Sequence, residues 1–155
     1  MVNEIEKEYS KLSKKYKLPK FKEIDNEFEI STLESPSFLI KNILRKIEEK
    51  LGFYIEVIGN LVHPDASSLS SMYEIRYFSD DEKDEIYNLF KKLMKVDRSI
   101  VEVVLENDEK KQAEFLNKFF SNWLGTKKEL LKYIEKMKES WEKQSTIEED
   151  TAYFG

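Results

Sequence analysis

Cysteine is absent from the 155-residue chain, which removes disulfides, thiol catalysis and every zinc site built on thiolates. Histidine occurs once, at His63. The paired Glu-x-x-His motifs of a carboxylate di-iron bundle therefore cannot be assembled, and the residue three before His63 is Asn60. The four glycines, Gly52, Gly59, Gly125 and Gly155, stand isolated, so there is no glycine-rich phosphate loop. No apolar run approaches the roughly 18 to 20 residues of a membrane span. The first residues, MVNEIEKEYS, carry acids where a signal peptide has a positive and then an apolar segment. A soluble, cytoplasmic chain without membrane association is expected. No catalytic residue, metal ligand or cofactor site is read, and none of the usual catalytic groupings is complete.

What the chain does have is charge and aromatic side chains. Charged residues make up 37% and apolar residues 40%, the balance of a folded domain with a heavily charged surface. The amide-poor usage, with glutamine only at Gln112 and Gln144, matches thermophilic habit, although the asparagines weigh against it. Most of the 20 aromatic residues fall at helical core spacing.

The longest helical pattern is SPSFLIKNILRKIEEKLGFYIEVIGNLV, residues 35–62. Ile40, Ile43, Leu44, Ile47, Leu51, Tyr54, Ile55, Ile58, Leu61 and Val62 return three or four residues apart, and Pro36 stands where a helix starts. Such a helix, about 40 Å long at about 1.5 Å per residue, needs other helices to cover its stripe. A hairpin of 51–58 with 72–78 is the alternative, because FYIEVI and MYEIRYF are β-branched and aromatic.

Residues 2–17 form an amphipathic helix ending before Pro19, and 18–34 an ordered crossing segment without sustained helical period. Ser79 with Glu82 makes a capping box that opens a helix over 80–107. Its stripe, Ile86, Phe90, Leu93, Asp97, Ile100 and Val104, is interrupted by an acid. Asn107-Asp108 starts the next helix, with Ala113, Leu116, Phe119, Phe120, Trp123 and Leu124 on one face. Gly125 is expected to stop it, and Thr126 with Glu129 to cap a last helix over 127–143; if Gly125 only bends the chain, the two become a single kinked helix. The expectation is an all-α, single-domain bundle of four to five helices over 1–143, followed by a flexible acidic tail, 144–155.

Three groups of residues could hold a partner or ligand. Lys11, Lys14, Lys15, Lys17, Lys20 and Lys22 occur with no acid among them, and with Tyr16 and Phe21 available to stack. The bland reading is a solvated helix face, and the sharper one an anion or nucleic-acid contact. Arginine occurs only at Arg45, Arg76 and Arg98, in a chain with 26 basic residues. Beside Arg98, Asp97 on the apolar stripe reads as a buried or half-buried ion pair that sets helix register. A pocket in which all three arginines receive a phosphate or carboxylate is the alternative.

The third group is Tyr153, Phe154 and Gly155, beyond the last helix. This ending resembles the hydrophobic-tyrosine-any-residue tail by which proteasome activators dock between ring subunits, over three residues only. Phe154 stands where that tail has tyrosine, so the hydroxyl contact would be missing. The reading favoured by all of this is a non-enzymatic protein–protein interaction module, an adaptor or regulatory subunit of a larger assembly. The alternatives are a proteasome-docking factor using its tail, a nucleic-acid or ribosome-associated factor using the lysines, and an anion-binding protein or enzyme using the arginines. Self-association through the apolar residues of 18–30 stays open.

Overall fold

The Asn3 side chain accepts a hydrogen bond from the Ile5 N–H at 3.0 Å and so caps α1 (Glu4–Tyr16), whose buried side chains are Ile5, Tyr9 and Leu12. From there the computed structural model describes residues 3–65 and 67–143, of which 81% are helical and none lies in a strand. After α1 come α2 (Phe21–Phe28), a single 3₁₀ turn (Ile30–Thr32), α3 (Leu39–Val62), α4 (Leu69–Ile75), α5 (Asp80–Glu106) and α6 (Glu109–Ser140). No helix among the described residues is long and apolar enough to cross a membrane.

With so few glycines, the breaks between helices use other residues. Lys17, Glu29, Phe38 and Asn107 all take positive φ, between 51° and 56°, each at the edge of a helix. A left-handed non-glycine residue costs on the order of 1 kcal/mol or more. The cost is offset locally, since the N–H of Lys17 reaches Ser13 O at 2.8 Å and that of Glu29 reaches Asp25 O at 2.7 Å.

The described residues gather into two compact units, each drawn from separated stretches. One takes residues up to Phe53 together with Lys95–Leu124, the other Tyr54–Met94 together with the described residues from Gly125 onward. The backbones of α3, α5 and α6 run continuously from one into the other.

The first unit is held mainly by apolar packing. Ile40, Ile43, Leu44, Ile47 and Leu51 of α3 are buried, as are Ile24 and Phe28 of α2 and Leu116 of α6. The Phe28 ring lies 5.7 Å from Phe119 and 5.1 Å from Trp123, tilted against both, as the aromatic quadrupole favours.

The second unit adds a polar frame to its core of Ile58, Ile86, Leu89, Leu93 and Leu130. Buried Tyr73 donates to Ser140 O at 2.7 Å, accepts from the Tyr77 hydroxyl at 3.1 Å and stacks on Trp141 at 4.3 Å. Trp141 Nε1 donates to Glu74 at 3.0 Å. Along α5 and α6, Lys136 pairs with Glu82 at 2.6 Å and Lys92 with Glu129 at 3.3 Å. Glu85 accepts from both Lys132, at 3.4 Å, and the Tyr133 hydroxyl, at 2.7 Å.

Several expectations change. The described chain has six helices rather than four or five. The crossing segment contains α2, though its Leu18, Ile24, Phe28 and Ile30 are buried as read. Residues 51–58 are inside α3 and 72–75 inside α4, so there is no hairpin there. Pro36 does not open α3: Phe38, at φ 51°, breaks the helical path and α3 begins at Leu39. Gly125 does not stop a helix; α6 passes through it with ordinary negative φ. Thr126 and Glu129 lie inside α6, so no helix start is there for them to cap, and Glu129 is engaged by Lys92 on α5. Leu124 is also not on the buried face of α6, being 61% exposed.

Candidate interaction surfaces

The turn joining α1 to α2 is fixed by side chains rather than by glycine. The Tyr9 hydroxyl donates to Pro19 O and Ser13 Oγ to Leu18 O, while Asn117 Nδ2 on α6 donates to Tyr16 O at 3.1 Å. The Tyr16 hydroxyl donates to Glu109 at 2.8 Å, and Phe21 meets the Tyr9 ring edge-on at 5.4 Å. Burial, with the Glu23 carboxylate adding to it, holds the Tyr9 phenol well above its ordinary pKa, so it stays a donor.

Around this turn Lys11, Lys14, Lys15, Lys17, Lys20 and Lys22 are all exposed. None forms an ion pair with a described carboxylate, whereas lysines elsewhere do, at Lys50–Glu29, Lys111–Glu106 and Lys136–Glu82. Lys15 rests its ammonium 5.1 Å from the centre of the Tyr16 ring, and both Tyr16 and Phe21 are half-buried.

The arginines divide between the units. Arg45 on α3 and Arg98 on α5 belong to the first, where both act on Glu48; Arg76 belongs to the second, at the C-cap of α4. Asp97 pairs with Arg98, its own side chain 13% exposed against 69% for the arginine. Burial and the Asp97 charge raise the pKa of Glu48, and the two arginines pull it back. Two carboxylates therefore already stand among these two guanidinium groups. Glu48 is the member of this cluster that the sequence did not single out.

The first unit also exposes large apolar side chains: Leu105, Phe38, Phe53, Leu124 and Val101. Val101 and Leu105 are one turn apart on α5, off the stripe that carries Ile100 to the core. Their spacing was visible in the sequence, but a second apolar face next to the first reads simply as a wider core stripe.

Among the described residues the second unit includes two shallow hollows of about 430 Å³ each. One lies along the α5–α6 ion pairs, beside Glu85, Lys92, Glu129 and Tyr133. The other is more apolar, with Leu61, Pro64, Met72 and Ile75 forming its wall and His63 and Lys83 on it. His63 ends α3, its N–H bonded to Gly59 O at 2.9 Å, and its ring is exposed. Among the described residues no group of three histidine, aspartate or glutamate side chains is placed to hold a metal ion. Tyr153, Phe154 and Gly155 lie outside the described residues.

Comparison with family models, with curated proteins and with solved structures finds no match.

Proposed function

We propose that the chain is a protein–protein interaction module, an adaptor or regulatory subunit of a larger assembly. The observation that supports this reading is the apolar pair on α5, Val101 at 45% and Leu105 at 82% exposure, on a chain whose residues are 37% charged. Fully covering one such aliphatic side chain is favourable by about 1.5–3 kcal/mol, so a partner that seats on this face gains from contact that water does not provide. Grouped exposed apolar side chains mark interaction sites where scattered single ones do not.

The test is affinity capture with the intact chain, a V101E/L105E double variant and a version ending at Ala152. A partner held by the intact chain and lost by the double variant, with helical circular dichroism unchanged, supports the α5 face as the docking surface. A partner that ignores the double variant but leaves when Tyr153–Gly155 are removed moves the docking site to the tail. Light scattering on the purified chain adds the self-association outcome, in which V101E/L105E turns a dimer into a monomer.

A further inference from the structure

We infer that the α1–α2 turn is a binding surface for single-stranded nucleic acid, contacting its phosphodiester backbone through the lysine collar. This goes beyond the interaction reading above, because it uses a different face and a different class of partner. Three features of the turn support it together. The lysines on it are exposed and lack carboxylate partners among the described residues, so their charge is available to a polyanion. The backbone they project from is held at Leu18 and Pro19 by the Ser13 and Tyr9 hydroxyls, and at Tyr16 by Asn117 of α6. A fixed backbone leaves only the lysine side chains to be ordered on binding, which lowers the entropic cost.

The third feature is aromatic. Tyr16 and Phe21 sit between the lysines in sequence and are half-buried, Tyr16 with the Lys15 ammonium 5.1 Å from its ring centre and Phe21 edge-on to Tyr9. Rings interleaved with cations form the platform on which unpaired bases stack, independent of their identity. An acidic peptide would use the charges and leave the rings idle. A duplex would offer phosphates but no open base faces. Single strands use both; Glu109, bonded to the Tyr16 hydroxyl, and Glu23 are acids at the turn itself, so the six lysines act against a local as well as a net negative charge.

The experiment is fluorescence anisotropy of a labelled 20-nucleotide oligouridylate with the full chain, at 50 and 200 mM salt. Four lysine–phosphate contacts at about 0.7 counterions each predict affinity about 50-fold weaker at the higher salt. The quadruple variant K14Q/K15Q/K20Q/K22Q should bind at least roughly tenfold more weakly at 50 mM with a flatter salt slope. A control of the same charge change in the second unit, K83Q/K91Q/K128Q/K138Q, should stay within about twofold of the intact chain. Phe21→Leu in the intact collar should weaken binding several-fold without altering the salt slope, as lost stacking does. No binding at 50 mM, equal binding by the collar variant, or equal competition by polyglutamate of matched charge overturns the inference. So does preference for anionic vesicles over the oligonucleotide, which would make the turn a membrane-surface contact.

Discussion

The two units of this chain share three helices but are held by different physics. In the first, aliphatic and aromatic packing dominates: α3 buries an aliphatic stripe, and Phe28 packs against both Phe119 and Trp123, which stack on each other at 5.7 Å. It too has ion pairs, Lys50–Glu29, Lys111–Glu106 and Arg98–Asp97, and Asp97 is also crowded beside Glu48. In the second, the core is supplemented by ion pairs along α5 and α6 and by the hydroxyl and ring contacts of Tyr73. The candidate partner surfaces on α5 and on the α1–α2 turn both fall in the unit that is held together without them. Exposed apolar residues do occur in the second unit too, but Trp141, for one, already stacks on Tyr73.

The largest effect that separates the units comes from the aromatic cluster. Phe28→Ala empties a fully buried site of the first unit and should destabilise by about 3–5 kcal/mol, read from urea unfolding. Trp123 belongs to the first unit and Trp141 to the second, so W141F and W123F backgrounds report on each separately. If both reporters shift equally, the units unfold together; if only Trp123 moves, they are separable.

Acid should act on the units in opposite directions. In the second, Lys136 and the Ser79 N–H hold Glu82 down to about 2, from an ordinary value of 4.5, and Tyr133 and Lys132 lower Glu85. A depressed carboxylate contributes stability above its unfolded value and loses it as pH falls, here between about 4.5 and 2. Glu48 in the first unit is raised, chiefly by burial, so its charge opposes folding at neutral pH and protonation relieves that cost. On acidification the Trp141 reporter should lose stability before the Trp123 reporter does, and Glu82→Gln should remove most of the difference.

The smallest effect compares two glycines inside α3. Gly52, in the first unit, has open space where a Cβ would go, so Gly52→Ala should stabilise by about 0.5–1 kcal/mol. At Gly59, in the second, a Cβ would come 3.2 Å from Phe90 Cε2. The same helix-propensity gain is then offset by displacement of the ring, and thermal melting should separate the two variants.

Much of the helical layout was legible because it is local. The capping box at Ser79 and Glu82 forms as read, with N–H to side-chain bonds of 3.0 and 3.1 Å. Ile40, Ile43, Leu44, Ile47, Leu51, Ile58 and Leu61 of α3 are buried where their spacing placed them, Tyr54, Ile55 and Val62 only half-buried, and α3 ends at Val62 before His63 and Pro64. An equally plausible box at Thr126 and Glu129 was not realised. Continuing α6 through Gly125 keeps Leu130 and Tyr133 buried and lets Glu129 reach Lys92, gains that no local signal reports. The short helices α2 and α4 were missed for a related reason, since eight and seven residues are too few to show a sustained period.

Of the candidate sites, the lysine collar was legible as a run of charge, and its spacing in sequence already fixed which residues belong to it. What only the tertiary structure decided is that these lysines find no carboxylate among the described residues, and that the turn beneath them is tied to α6 through Asn117 and Glu109. The same holds for Arg45 and Arg98, which meet around Glu48 although 53 positions separate them in the chain. By itself the sequence determined the helical class, the aliphatic stripe of α3 and the first capping box, because hydrogen bonds three or four residues apart and side-chain periodicity are local quantities. Which charges neutralise one another, and which apolar side chains stay uncovered, depend on contacts between distant segments, and those exist only once the chain has folded.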